Sequence, residues 1–553
     1  MKSVRNINWS MLCLMLVFAS CQPDAIIIDT SIVVPELPED TDAPIEKPLP
    51  SNTSYLWREF IDDKDASEKT LADFSYAGYA FGEKGVPDVD YPTFNVCDYG
   101  AVPDDGLSDR KAFEDAIAAA QANGRGVVFI PKGRYHLRPA DAPNKSIVIS
   151  GNNIVLRGEG CGADGTELFM EYPNAPETEG ELWSCPPLFV FRYVFDKDKE
   201  FAVDDNYADR QLAEVVGDAK RGTHSVEVSS TSGLYIGKRV MLQLKNNAPD
   251  LVAQEVHPYE VLPEWTDLVN NGVQVNEYHQ IQRIEGNLVT FKEPILYSVE
   301  AKWGWTLHEH SCKVGSGVED IAFVGNFKEK FVHHKDAIHD SGFKMLTFLR
   351  QVNGWIRRCR FTDVSEGVSI QRSANVSVYS CHITGNQGHS AIRSEASTRI
   401  FIGAVQDDPA QFHSTGVSKT ALGTVLWRNK TASNSCFESH SNQPRVTLVD
   451  ACSGGFLPDH AGGDQAAAPN HLRELVLWNY INKGKGGKFD FWCRNNRFYM
   501  PVLAGFQGAT VSFSSSQVTI NERQGGTVYP ESLYEAQLEK RLGAIPQWLL
   551  ELK

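Results

Sequence analysis

The chain has 553 residues, 42% of them hydrophobic and 10% aromatic, which is enough for a large core. Lysine and arginine total 53 against 70 acidic residues, a formal net charge of −17. That balance argues against nucleic acid or an anionic membrane surface as a general partner, and leaves room for a local basic cleft that takes an anionic polymer.

At the N-terminus, Lys2 and Arg5 precede an apolar run, Met11–Phe18, and then Ala19-Ser20-Cys21. This is a secretory leader pattern, with an apolar run far below the ~20 residues a spanning helix needs. Small residues before a cysteine resemble a bacterial lipoprotein box, which implies that residues 1–21 are a leader and that Cys21 is the lipidated first residue of the mature chain. Residues 22–52 carry seven acidic groups and prolines 23, 35, 38, 44, 48 and 50, the composition of an extended tether. Residues 53–90 read as an N-terminal extension. Without Cys13 and Cys21, nine of the eleven cysteines remain, an odd number with no C-x-x-C pair; a zinc ribbon or dense disulfide framework is not expected.

In residues 96–137, an Asp/Gly-rich turn (Asp104, Asp105, Gly106, Asp109) leads into an Ala-rich amphipathic helix. Gly124 and Gly126 end it, and a β-branched strand, Val127–Ile130, runs into Pro131-Lys132-Gly133. This order (D-Y-G-A, D-D-G, S-D, A-I-x-A-A, G-x-V-x-x-P-x-G-x-Y) resembles the opening of the pectate-lyase superfamily. The resemblance implies an all-β right-handed parallel β-helix over residues 91–525, with an N-terminal capping helix. It also implies that the domain cuts or binds polysaccharides, without fixing the reaction.

Farther along, Ile147–Leu156 reads as strand, as do Leu188–Val194, His224–Val228, Arg239–Leu244 and Leu288–Phe291. A long polar and aromatic insertion around 245–280 is expected to leave the rungs as loops, either walling a groove or decorating the surface. From Val314 a repeat is legible: Trp355–Phe361 matches Val376–Ile383, Cys359 to Cys381 is 22 residues, and Gly367–Ile370 maps onto His389–Ile392 at the same offset. Cys359 and Cys381 are expected to stack as buried thiols or to form a disulfide. Further strands are predicted at Arg399–Gly403, Thr424–Arg428, Val446–Asp450 and Leu475–Tyr480, and residues 526–553 hold a helix, Pro530–Leu542, expected to cap the open end of the solenoid.

Between Gly388 and His471 the chain carries polar groups that a structural coil does not require. His389, His413 and Glu438 are spaced 24 and 25 residues apart, close to one turn each, and His440 shares a strand face with Glu438. Stacked on one side of the solenoid, they form a candidate proton-transfer column. His389 or His413 is the expected base, and the other histidine or His440 the acid. Arg393 or Arg445 is placed against a substrate carboxylate. Lys335 and Lys419 are alternative bases if burial lowers their pKa, and Glu395 and Glu438 either orient a histidine or hold Ca2+. His471, Trp303 and Trp305 are added as substrate contacts. The run Val332–His339, with three histidines, offers no partner spacing for a metal and is read as a polar loop near the groove.

The leading expectation is a polysaccharide lyase acting by β-elimination on a uronic-acid-containing chain, a glycosaminoglycan such as chondroitin or dermatan sulfate, or a pectin. The lipobox and the C-terminal region resemble Bacteroidetes-type surface lipoprotein lyases, which implies a monomer anchored by lipid to the outer membrane of a Gram-negative cell, at its surface or in the periplasm. The alternatives are a glycoside hydrolase on the same fold, for which Asp407-Asp408 is the only late acidic pair, and a non-catalytic glycan binder.

Overall fold

A computed structural model of the chain describes residues 48–194, 209–457, 462–493 and 497–553. The leader, Cys21 and nearly all of the acidic tether lie outside these residues. The chain divides at Leu49/Pro50, and the structure below is that of Pro50–Lys553.

The body is a right-handed parallel β-helix of three long sheets, with 12, 10 and 7 strands. Each full rung gives one short strand to each sheet, and neighbouring rungs pair in parallel. In the first sheet the register places Val318, Ile356, Val378, Ile402, Leu426, Val449, Leu477 and Leu503 in one unbroken ladder. All eight are 0–1% exposed, so the ladder is the spine of the core. In the second sheet Leu168, Phe323, Phe361 and Ile383 form the matching inward row, with the rings of Phe323 and Phe361 stacked at 5.2 Å. Burial of such rows along the coil is the main stabilising term in a solenoid.

One left-handed residue per rung turns the chain out of the first sheet: Asp320, Arg358, Ser380, Ala404, Arg428, Ala451 and Asn479, with φ between 50° and 62°. The cysteines Cys359, Cys381 and Cys452 follow this corner as buried inward groups, and the nine cysteines among the described residues are all free thiols. The stacked-thiol reading of Cys359 and Cys381 therefore holds. The helix Arg110–Ala122 closes the N-terminal end by burying Phe113, Ala116, Ile117 and Ala120 against the first rungs.

Three expectations are corrected. The 22-residue offset holds for Arg360–Thr362 against His382–Thr384, but Val368 pairs with Ile392, an offset of 24, because the turn after Thr384 is two residues longer than the one after Thr362. The C-terminal helix, Leu533–Leu542, does not cap the solenoid's end. It lies on the outer face of the first sheet, where Tyr534 stacks on Phe401 and Trp427 donates to Ser532. Asp450, at the end of the strand Arg445–Asp450, accepts from Ser532 Oγ, Leu533 N and Tyr534 N at the helix start.

The third correction concerns the insertion. Instead of loops, residues 211–309 supply a six-stranded antiparallel sheet. Its apolar face, with Val240, Leu242, Val275 and Leu307, packs in the same core as Tyr379, Phe401, Trp427 and Trp478 of the first sheet. This explains near-continuous apolar strands such as Leu475–Trp478, since a sheet buried on both faces needs no polar alternation. At the rim of the third sheet the insertion is tied by Asn276, which donates to Thr420, and by Gln443, which donates to Gly272.

Candidate functional site

The third sheet carries the polar columns. Its register aligns Thr347, Ser369, Arg393, Gly416 and Glu438 in one row, and Gln371, Glu395, Ser418 and His440 in the row beside it. Alternation turns both rows away from the inward row Phe189, Leu346, Val368 and Ile392. Arg393, Glu395, Glu438 and His440 thus share one face by strand geometry alone.

His389 and His413 stand at the corner just before this sheet, where Ser390 bridges to His413. By register neither lies in the row of Glu438, yet their side chains converge on it. The ring centroids of His389 and His413 are 4.9 Å apart, and those of His413 and His440 are 4.7 Å apart. His413 Nδ1 lies 3.1 Å from Glu438 Oε2, at ion-pair distance but without hydrogen-bond alignment, and His440 Nδ1 lies 2.9 Å from Oε1. The Gly462 amide donates to the same Oε1 at 2.8 Å. The His413 loop is pinned from below by Asp407, a buried carboxylate that accepts from Ser414 Oγ and Gln411 N.

The polar run at 332–339 joins this cluster, which corrects its reading as a loop without partners. Residues 331–343 leave the coil and fold back over the sheet, where His339, Asp340, Ser341 and Gly342 of the short helical turn Ile338–Gly342 are buried. Asp340 O lies 3.0 Å from His389 Nδ1, and Asp340 Oδ2 lies 2.6 Å from His334 Nδ1. The His333 ring stacks on Phe412 at 4.1 Å and lies 5.5 Å from both His389 and His413. Five imidazoles therefore gather in one place. The histidine run was the available signal for His333 and His334, but the His389 and His413 rings they join lie more than 50 residues downstream.

Electrostatics separates these groups. Burial pushes His413 down to about 3 and His333 to about 4, and His389 lies well below the ordinary imidazole value, through burial with His413 and Arg393 adding to it. All three are neutral near pH 7. Burial would raise Glu438, but His413 and His440 hold it well below the usual carboxylate range; Lys419 and Arg393 likewise bring buried Glu395 down to about 2. His440 keeps 27% of its side chain exposed, against 1% for His413 and 5% for His389.

Along the same face, Lys419 pairs with Glu395 at 3.4 Å and Lys344 with Glu366 at 2.8 Å, while Arg393 donates to Ser390 Oγ. Sequence reasoning missed Lys344 and Glu366, since a single lysine and a single glutamate in two strands give no pattern. Lys335 is exposed and its hydrogen bond to Glu329 raises its pKa, so the burial that a lysine base requires is missing.

Four predicted contacts lie elsewhere. Arg445 is buried under the insertion, donating to Gln274 O and facing Glu255 at 3.5 Å. His471 is buried between Leu472 O and Thr447 Oγ1. Trp305 is 1% exposed in the insertion's core, and Trp303 packs against that same core. Arg445 ties the coil to the insertion, His471 sits within the coil, and the tryptophans pack in the insertion. Asp407 and Asp408 do not form a hydrolase pair either: Asp407 is buried as described, and Asp408 binds His382 on the second sheet. Calcium does not fit, because it takes six to eight oxygens, whereas the carboxylates here are already matched to cations and histidines and the converging free atoms are nitrogens.

With this geometry in view, residues 93–319 match the family model described as rhamnogalacturonase A/epimerase, pectate lyase-like. Residues 410–552 match a domain of unknown function, DUF4955. The cluster therefore lies outside the pectate-lyase-like match, with His413, Glu438 and His440 inside the second one. A mannuronan C5-epimerase, AlgE1, of Azotobacter vinelandii is 38% identical over 69 residues, 12% of this chain and 5% of that protein. Alginate lyase 7 of the same organism is 35% identical over 69 residues, 12% of this chain and 8% of that protein. The chain thus spans a small part of the length of these relatives. Among solved structures, the tailspike gp61 of Pseudomonas phage phi297 aligns with a TM-score of 0.40 and 11% identity over 79% of this chain and 78% of its own. An exopolygalacturonase from Thermotoga maritima aligns with a TM-score of 0.34 and 10% identity over 80% and 85%.

Proposed function

We propose that the protein is a polysaccharide lyase that cleaves a uronic-acid-containing chain by β-elimination on the outer face of the third sheet. The observation that carries this reading is the Glu438–His440 pair beside Arg393. With Glu438 ionised, His440 Nδ1 carries the proton and Nε2 is left as the acceptor, on the more exposed ring of the column. A neutral, oriented imidazole is suited to remove the proton alpha to a uronate carboxylate. Arg393 supplies a guanidinium for that carboxylate in the adjoining row. The base role thus moves from His389 or His413, both too buried to meet a polymer, to His440.

The depressed carboxyls support elimination over hydrolysis. A glycosidase needs a carboxylic acid held protonated near neutral pH, and Glu395 and Glu438 are shifted the other way. The names of the mannuronan C5-epimerase and alginate lyase relatives favour the same first step, since inverting C5 of a uronate also begins by removing its proton. The substrate is proposed to be anionic, with sulfated glycosaminoglycans and pectins as the two classes to test. The leader and Cys21 add the proposal of a lipid-anchored protein of the outer membrane.

The test incubates purified protein with a panel of uronate polysaccharides and follows the absorbance of unsaturated uronate. A rise with chain shortening is expected. New reducing ends without that absorbance would replace elimination by hydrolysis, and a changed uronate NMR spectrum without shortening would replace it by epimerisation.

A further inference from the structure

Within the five-histidine cluster, three rings lack the partners the others have. His333 Nε2, His389 Nε2 and both ring nitrogens of His413 are buried without a hydrogen-bond partner among the described residues. One ligating atom from each of His333, His389 and His413 lies within 4.8 Å of the others. Burying a single unpaired lone pair is unfavourable, and several buried around one point call for a common electrophile.

The surroundings of two of the rings are those of metal-ligating histidines. Asp340 O faces His389 Nδ1, which places the ring proton there and turns the Nε2 lone pair inward. The Glu438 carboxylate faces His413 Nδ1 at 3.1 Å, where its charge favours a proton on that nitrogen and leaves Nε2 as the lone pair. A carbonyl or carboxylate behind a ligating imidazole fixes its tautomer and strengthens its lone pair. Two other groupings, His334 with Asp340 and His389, and His413 with Glu438 and His440, also have the required proximity, but their members are already paired with one another.

We propose that His333, His389 and His413 form a three-imidazole centre for a divalent transition cation of the zinc class. Imidazole suits zinc and its neighbours, where calcium and magnesium require oxygen. If all three atoms were at the 4.8 Å limit, their centre would lie about 2.8 Å from each, against about 2.0–2.1 Å for a zinc–imidazole bond. Shifts below about 1 Å per ring close that gap, and His333, on its half-buried loop, has room to make one. Three protein ligands leave a coordination position open.

The test uses the full chain without a polyhistidine tag, stripped by chelator and titrated with Zn2+ by calorimetry and with Co2+ by visible absorption. One equivalent of zinc per chain is expected, with a cobalt ligand-field band and a zinc-induced rise in Tm. His333→Ala, on the half-buried loop, is expected to lower zinc affinity at least ~10-fold and to abolish the cobalt band, with a circular-dichroism melt of the metal-free protein unchanged. His389→Ala and His413→Ala should act likewise. Absent saturable zinc binding, binding indifferent to His333→Ala, or equal competition by Ca2+ each overturns the proposal. Because metal is read without substrate, a bound zinc with no unsaturated product sinks the lyase reading and leaves the centre standing.

Discussion

His440 Nδ1 stands 2.9 Å from Glu438 Oε1, while the other oxygen of that carboxylate faces His413 Nδ1 at 3.1 Å. One buried carboxylate thereby sets the tautomer of two rings, one inside the cluster and one at its surface. Removing His440 tests the surface role. His440→Ala is expected to lower turnover at least ~100-fold with little change in KM, the usual scale for a lost proton-transfer group. Glu438→Gln keeps the shape and removes the charge, and should lower turnover by a similar factor while also weakening zinc binding. Steady-state rates by unsaturated-uronate absorbance check both, and near-normal turnover in His440→Ala would move the base elsewhere.

Gly462 is the close neighbour of this pair. A Cβ there would meet His440 Nδ1 at 2.0 Å, its Cε1 at 2.3 Å and His413 Cε1 at 2.7 Å. Its amide also donates to Glu438, so the backbone cannot retreat without losing that bond. Gly462→Ala should therefore displace both rings, with a ~10–100-fold loss of turnover, the scale of a 1 Å misplacement. The melting temperature should change little, because the coil's apolar ladders lie elsewhere. A variant of full activity would show that the rings tolerate that shift.

The solenoid was legible because its rungs repeat. Cys359 and Cys381, Phe361 and Ile383 occupy equivalent inward positions at equal spacing, and register carries that spacing through the sheets. Glu438 and His440 were legible for the same reason, being two residues apart on one strand. His389 and His413 were placed in the right cluster by a spacing that is not the register, since both precede their strands and reach the site through side-chain direction. His333 and Asp340 were not legible as partners of His389, because the segment that brings them there leaves the repeat altogether. Arg445 and His471 misled for the opposite reason: buried structural contacts, Arg445's with the insertion and His471's within the coil, use the same residue types as a site.

Cys21 tests the proposed anchor. Replacing it by serine removes the sulfur that a lipid would occupy while leaving the leader's charged and apolar regions intact. Cys21→Ser is expected to abolish fatty-acid labelling of the mature protein and to move most of it from the membrane to the soluble fraction, since the acidic body has no other strong attraction to an anionic bilayer. Unchanged fractionation without label would indicate a different attachment.

Asp450 gives the fold a pH dependence of its own. Its carboxyl is buried at the joint between coil and C-terminal helix, and burial pushes it up to about 7 although Ser532 Oγ, Leu533 N and Tyr534 N all donate to it. Glu535, in the same helix, adds to the rise. The folded value thus lies above the ordinary aspartate value of 3.8, so folding takes up a proton between about pH 4 and pH 7. The stability from this group is fully present below about pH 4 and is lost as pH rises through about 7, the reverse of a salt-bridged aspartate. Asp450→Asn removes the ionisation and keeps nearly the same shape. The wild-type Tm is therefore expected to fall relative to that of the variant between pH 5 and pH 8, with the gap changing by on the order of a few °C. Hydrogen exchange should place the loss in the amides of Leu533–Leu542, which Asp450 ties to the coil. Parallel Tm profiles for the two proteins would mean that the three donors hold Asp450 ionised across the whole range.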